Sequence, residues 1–134
     1  MKRLILFILL ISSAFAAGTV QSSISQLGAS DNWVIAFQWT ADSANGTVPI
    51  TAATGNISAL QGMRLFTVET IPRGPAPTNG YTVKVLNSAN ADITNGAAVA
   101  VSSTLGQSWA ASSAVSPLNG NLSLSISGNS VNSA

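Results

Sequence analysis

"WVIAFQWT", residues 33–40, decides the fold class. Trp33, Ile35, Phe37 and Trp39 fall on one side of an extended chain and Val34, Ala36, Gln38 and Thr40 on the other, the period of two that a strand imposes. Both rows are largely apolar, which predicts a central strand covered on both faces. Directly after it, "DSANGT" at 42–47 carries an Asn-Gly pair, a strong turn signal.

The same alternation recurs along the chain. "MRLFTVETI" at 63–71 sets Leu65, Thr67, Glu69 and Ile71 against Phe66, Val68 and Thr70, and predicts a strand. "PRGPAPTNG" at 72–80 carries three prolines, which cannot donate to a sheet ladder, and reads as a connecting loop. Tyr81, Val83 and Val85 then face one way and Thr82, Lys84 and Leu86 the other. "NSAN" at 87–90 is a turn into a short return at Asp92–Thr94, closed by Asn95-Gly96.

Residues 47–60 contain Pro49 and Gly55 among β-branched residues, so they read as an edge strand or a loop with a short strand. "AAVAVSST" at 97–104 predicts a strand, and the Ser/Ala-rich stretch around Trp109 reads as loop. "LNGNLSLSIS" at 118–127 places Leu122, Leu124 and Ile126 opposite serines, a half-buried strand. About seven strands at this spacing, with helix signals nearly absent, predict an all-β chain built as an antiparallel β-sandwich.

Composition agrees. The 134 residues are 46% hydrophobic but only 6% aromatic and 7% charged, with mean hydropathy +0.39, which is the opposite of a disordered composition. "MKRLILFILLISSAFAAGTV" at 1–20 reads as a secretory signal peptide: Lys2 and Arg3 lead, Leu4–Ile11 is the apolar run, and Ala14-Phe15-Ala16 offers the small-x-small cleavage pattern. The apolar run is too short to span a bilayer, which takes ~20 residues. Cleavage after Ala16 leaves a single domain at 17–134 and an exported chain, periplasmic or extracellular, that meets a membrane only transiently through its leader.

Without the leader, Arg64, Arg73 and Lys84 stand against Asp31, Asp42, Glu69 and Asp92: three cations, four carboxylates, formal charge −1. So small a charge offers nucleic acid no electrostatic handle. The chain has no cysteine, so stability must come from packing without disulfides.

The chemistry residues are sparse. Histidine and cysteine are both absent, which removes the commonest general base, the usual zinc ligands and the thiol nucleophiles. Asp31, Asp42 and Asp92 lie in predicted turns, where short acidic side chains satisfy local backbone groups, and Glu69 lies in a strand. Four carboxylates are numerous enough for a paired-acid glycosidase, yet each has a structural role to fill. No serine sits in a Gly-x-Ser-x-Gly elbow, and no phosphate loop, dinucleotide fingerprint or calcium loop occurs. The reading is non-enzymatic, with no catalytic, cofactor or metal residues and no cofactor. Asn45-Gly-Thr47, Asn56-Ile-Ser58 and Asn121-Leu-Ser123 match the glycosylation pattern, which an Asn- and Ser-rich chain also produces by chance. Trp33, Trp39 and Trp109 are candidates for a sugar-stacking platform or for the core.

With the strands placed, "GMRLFTVETIP" at 62–72, "APTNGYTVKVLNSANADITNGA" at 76–97 and "LNGNLSLSISGN" at 118–129 together resemble small virion structural proteins of tailed bacteriophages. The shared pattern is a strand ending in proline, an Ala-Pro-Thr-(Asp/Asn) lead into a Tyr strand, an Asn/Asp turn with a short return, and a Leu-x-Leu strand before Asn. Here Tyr81 and Val83 occupy the Tyr strand, Thr82 stands in place of an acid, and Asn90 stands where the turn glycine would be. The resemblance covers about half the chain, residues 62–128. It implies a β-sandwich that works in a virion by self-association or by packing on other structural subunits. It also implies one more strand after "SGN", whose place would be an open edge. The leader departs from that pattern and favours instead an exported bacterial surface or fimbria-like subunit; a secreted carbohydrate-binding module is a third reading.

Overall fold

In a computed structural model, described for residues 18–29, 32–74, 76–110 and 118–130, the chain is all-β, with seven antiparallel strands in three small sheets. The leader at 1–16, Asp31 and most of the Ser/Ala stretch after Trp109 lie outside the described residues.

Strand β1 (Thr19–Gln26) pairs along its full length with β2 (Trp33–Thr40), from Thr19 opposite Thr40 to Gln26 opposite Trp33. Val20, Ser22 and Ile24 face Trp39, Phe37 and Ile35 on the inner side, while Gln21, Ser23 and Ser25 face Gln38, Ala36 and Val34 on the exposed side. The expectation of a central strand is corrected here. Among the described residues β2 hydrogen-bonds to β1 alone, and its second row is solvent-facing despite its apolar content. β1 was not anticipated; Val20, Ser22 and Ile24 do alternate, but too weakly for the sequence to separate them from the leader.

The second sheet has the order β3 (Thr51–Ala52), β7 (Ser123–Ser127), β5 (Thr82–Leu86). Val83 faces Ile126 and Val85 faces Leu124, so the apolar rows of β5 and β7 form one inner surface, with Lys84 opposite Ser125 outside. The third sheet pairs β4 (Thr67–Thr70) with β6 (Gln107–Ala110), Val68 opposite Trp109. Thus the stretch around Trp109 is a strand where a loop was expected, because Trp109 has an apolar partner in Val68. The preceding strand starts later than the alternation suggested. Met63 turns back to pair with Leu118, leaving Phe66 87% exposed.

Residues 97–104 are not a continuous strand. Val83 donates to the Ala98 carbonyl and Val101 exchanges hydrogen bonds around Tyr81, but Ala100 has φ 53° and Val99 is exposed. Ala98 and Val101 are both fully buried, and a spacing of three cannot satisfy a period of two, so the chain bulges outward between them.

The inner rows of β1–β2 and of the second sheet enclose the core. One cluster joins Leu60, Ile93, Leu118 and Leu122 with Trp33, Ile35 and Phe37; the other joins Tyr81, Val83, Ala98, Val101 and Leu124 with Trp39 and Trp109. Phe37 and Leu65 touch both, so the core is continuous, as the two facing layers of a sandwich require. Replacing Val83 by Asp would bury an unpaired charge and should lower unfolding free energy by more than about 2 kcal/mol. Chemical denaturation checks this; an unchanged midpoint would mean that Val83 does not face the core.

Candidate functional site

Residues 77–96 carry more of the sequence signal than any other stretch, and the fold uses them as an anchored lead-in, a half-buried strand and two side-chain-built turns. The lead-in is anchored first. The Thr78 backbone donates to Asn129 Oδ1 at 2.8 Å, and Asn129 Nδ2 donates to the Gly46 carbonyl at 3.1 Å. One asparagine thus ties the 76–80 loop, the end of β7 and the Asn45-Gly46 turn together.

Tyr81 follows, 2% exposed, meeting Trp39 edge to face with ring centroids 5.6 Å apart. Burial pushes its phenol above the ordinary value of 10.0, and the neighbouring Thr70 hydroxyl pulls it partly back. Thr70 Oγ1 is itself buried without a partner at hydrogen-bonding geometry, so the pair is a polar contact inside the core, not a formed bond.

The turn after β5 is assembled by Asn87. Its Oδ1 accepts from the backbone of Ala89 at 3.0 Å and Ala91 at 2.9 Å, while Asn90 donates back to the Asn87 carbonyl. Asn90 has φ 59°, the left-handed geometry that asparagine tolerates in place of glycine. Asp92 then organises the return. Oδ1 accepts from the Thr94 backbone and hydroxyl, and Oδ2 from Gly96 at 3.2 Å, with Thr94 fully buried.

The other candidate residues are placed apart. Asp42 Oδ1 accepts from Ala44 at 2.7 Å and Asn45 at 3.1 Å, the Asx arrangement expected of it. Glu69 is exposed on β4 opposite Ser108, beside an open depression of about 280 Å³ lined also by Thr70, Ile71, Gly106 and Gln107. Neither Asp42 nor Asp92 lines it. Among the described residues, no three Asp or Glu side chains gather as a metal site would need. Trp33 packs in one core cluster and Trp39 and Trp109 in the other, so the three do not share an exposed row. Asn45 accepts from both the backbone and the hydroxyl of Thr47, and Asn56 from the Ser58 hydroxyl.

Comparison with protein-family models, curated proteins and solved structures finds no match to this chain.

The arrangement is a scaffold whose polar side chains hold backbone. Removing the Asp92 carboxylate would strand the buried Thr94 hydroxyl, so Asp92→Ala should cost about 1–3 kcal/mol, with Asp92→Asn retaining part of it. Thermal denaturation of the pair checks this, equal stability of both variants and the parent being the contrary result. Tyr81 supplies a pH dependence. Its folded pKa lies above the unfolded one, so above about pH 10 the unfolded chain releases a proton that the native state retains, and stability falls as pH rises. Tyr81 is the only tyrosine. Its tyrosinate absorbance should therefore appear above pH 10 in native protein, and the alkaline loss of Tm attributable to it should vanish in Tyr81→Phe.

Proposed function

We propose that this chain is a non-enzymatic structural module, a β-sandwich that works by packing against copies of itself or other structural subunits, of the kind found in tailed-phage particles. The observation that carries the reading is the geometry of residues 77–96. The segment that bears the resemblance forms a buried Tyr strand, and Asn90 adopts positive φ at the position where the related pattern has glycine. Asp42 and Asp92 hold turns, which leaves Glu69 as the exposed carboxylate of a described strand, with no second acid lining its depression.

A second reading has its own support. The Lys-Arg, apolar and Ala-x-Ala sequence of residues 1–16 favours an exported surface or fimbria-like subunit, for which the same scaffold would serve.

Density-banded particles from the source, analysed by peptide mass spectrometry, separate the two. The particle reading expects the chain at multicopy stoichiometry with Met1 at or near its N-terminus. Chain found only in the periplasm or medium and starting at Ala17 would overturn it in favour of the exported subunit.

A further inference from the structure

The three sheets are not equally protected at their edges. In the β3–β7–β5 sheet one edge strand is only two residues long, and the other edge is capped by the bulged 98–101 segment, two devices that prevent pairing with another chain. Neither strand of the β1–β2 ribbon has such a device, although residues 54–55 lie against β1, Thr54 donating to Ser22 and Gly55 sitting beside Ile24. β2 runs eight residues without proline, bulge or charge, and among the described residues its hydrogen bonds go to β1 alone. Trp33, Ile35, Phe37 and Trp39 on its inner side are only half-buried, whereas Leu122 and Leu124, leading into and within the central strand β7, are 1% and 3% exposed. Those four side chains are partly open to water.

We propose that the outer edge of β2 pairs with β2 of a second copy, antiparallel about a two-fold axis, extending each ribbon into a four-stranded β1–β2–β2–β1 sheet. This rests on the structural-module reading and names its contact. Charge favours a copy as the occupant: neither β1 nor β2 carries a charged residue, so a strand meeting itself places no like charges opposite each other.

Face matching fixes the register. Residues facing each other across an antiparallel ladder project to the same side, and the inner residues of β2 are all odd-numbered. Odd must therefore face odd, and the axis passes through a residue, not between two. An axis at Ala36 sets Trp33 opposite Trp39 and Ile35 opposite Phe37, pairing all four inner apolar residues with one another. An axis at Phe37 would place Trp33 opposite Ala41, beyond the end of the strand. Ala36 is also exposed and small, which suits a residue that meets its own copy.

Sedimentation equilibrium of the full chain tests this together with two variants. The parent should be a dimer, and Ala36→Lys, which puts ammonium groups face to face on the exposed side, should be a folded monomer with the circular dichroism of the parent. Because the chain has no native cysteine, Ala36→Cys should cross-link to a disulfide dimer under mild oxidation, facing Cα atoms lying about 4.5–5.5 Å apart. Gln21→Cys, exposed on β1, should not. A monomeric parent, a dimer that survives Ala36→Lys, or equal cross-linking at both positions overturns the edge contact. The particle measurement stands apart: a chain absent from particles removes the structural-module assignment even where the dimer is found, and a chain present in them without β2 pairing keeps it.

Discussion

The contact between Trp39 and Tyr81 joins the two layers, and the rest of the structure depends on layers held in this way. A chain with no cysteine has no covalent staple, and its few charged residues cannot supply an ion-pair network. Cohesion must come from burying the inner rows of β1–β2 against those of β5 and β7. Large apolar side chains contribute roughly 1.5–3 kcal/mol each when fully buried, and Leu122, Leu124 and Val101 are placed to do so. Tyr81 adds an edge-to-face ring contact at the junction, and its phenol sits where the third sheet, through Thr70, closes over it.

Packing of this kind needs strands delivered at the right heights, and in this chain short polar side chains do the delivering. Asp42, Asn87 and Asp92 each gather two or more donors, most of them backbone, from the few residues that follow. Each turn is thereby fixed by contacts local in sequence. Asn129 does the same across the fold, reaching Thr78 and Gly46 from the end of β7. The abundance of Asn, Ser and Thr thus has a structural cause: a nearly uncharged chain uses short polar side chains on backbone where other proteins use ion pairs.

The parts of this arrangement legible in the sequence are those in which pattern and environment coincide. β5 and β7 alternate cleanly because one face is buried and the other wet, and the Asn and Asp turns announce themselves by side-chain chemistry. Three parts were not legible, each for a separable reason. β1 alternates Val, Ser and Ile, and Ser22 is an inner residue because it bonds Thr54, so polarity does not mark the face. Residues 97–101 bury Ala98 and Val101 at a spacing no strand period contains. Trp109 is surrounded by Ser and Ala, and its apolar partner Val68 lies far away in sequence. For β2 the pattern gave the strand correctly but overread its second face, since apolar residues at a surface edge look the same in sequence as residues in a core.

That ambiguity bears on assembly. An edge able to pair on both sides of a ribbon would propagate without limit, whereas a pairing confined to one side closes after two copies. The two strands of this ribbon have different neighbours. Beside β1, Thr54 donates to Ser22 and Gly55 lies against Ile24, while a Cβ at Gly18 would come within 2.4 Å of the Thr47 carbonyl. Residues 47 and 54–55 thus lie beside the start and the inner row of β1. Pairing through β2 would cover that edge of the ribbon. On the proposed pairing, a sequence as neutral and β-rich as "WVIAFQWT" can be carried at a surface because one partner, a second copy, would cover it.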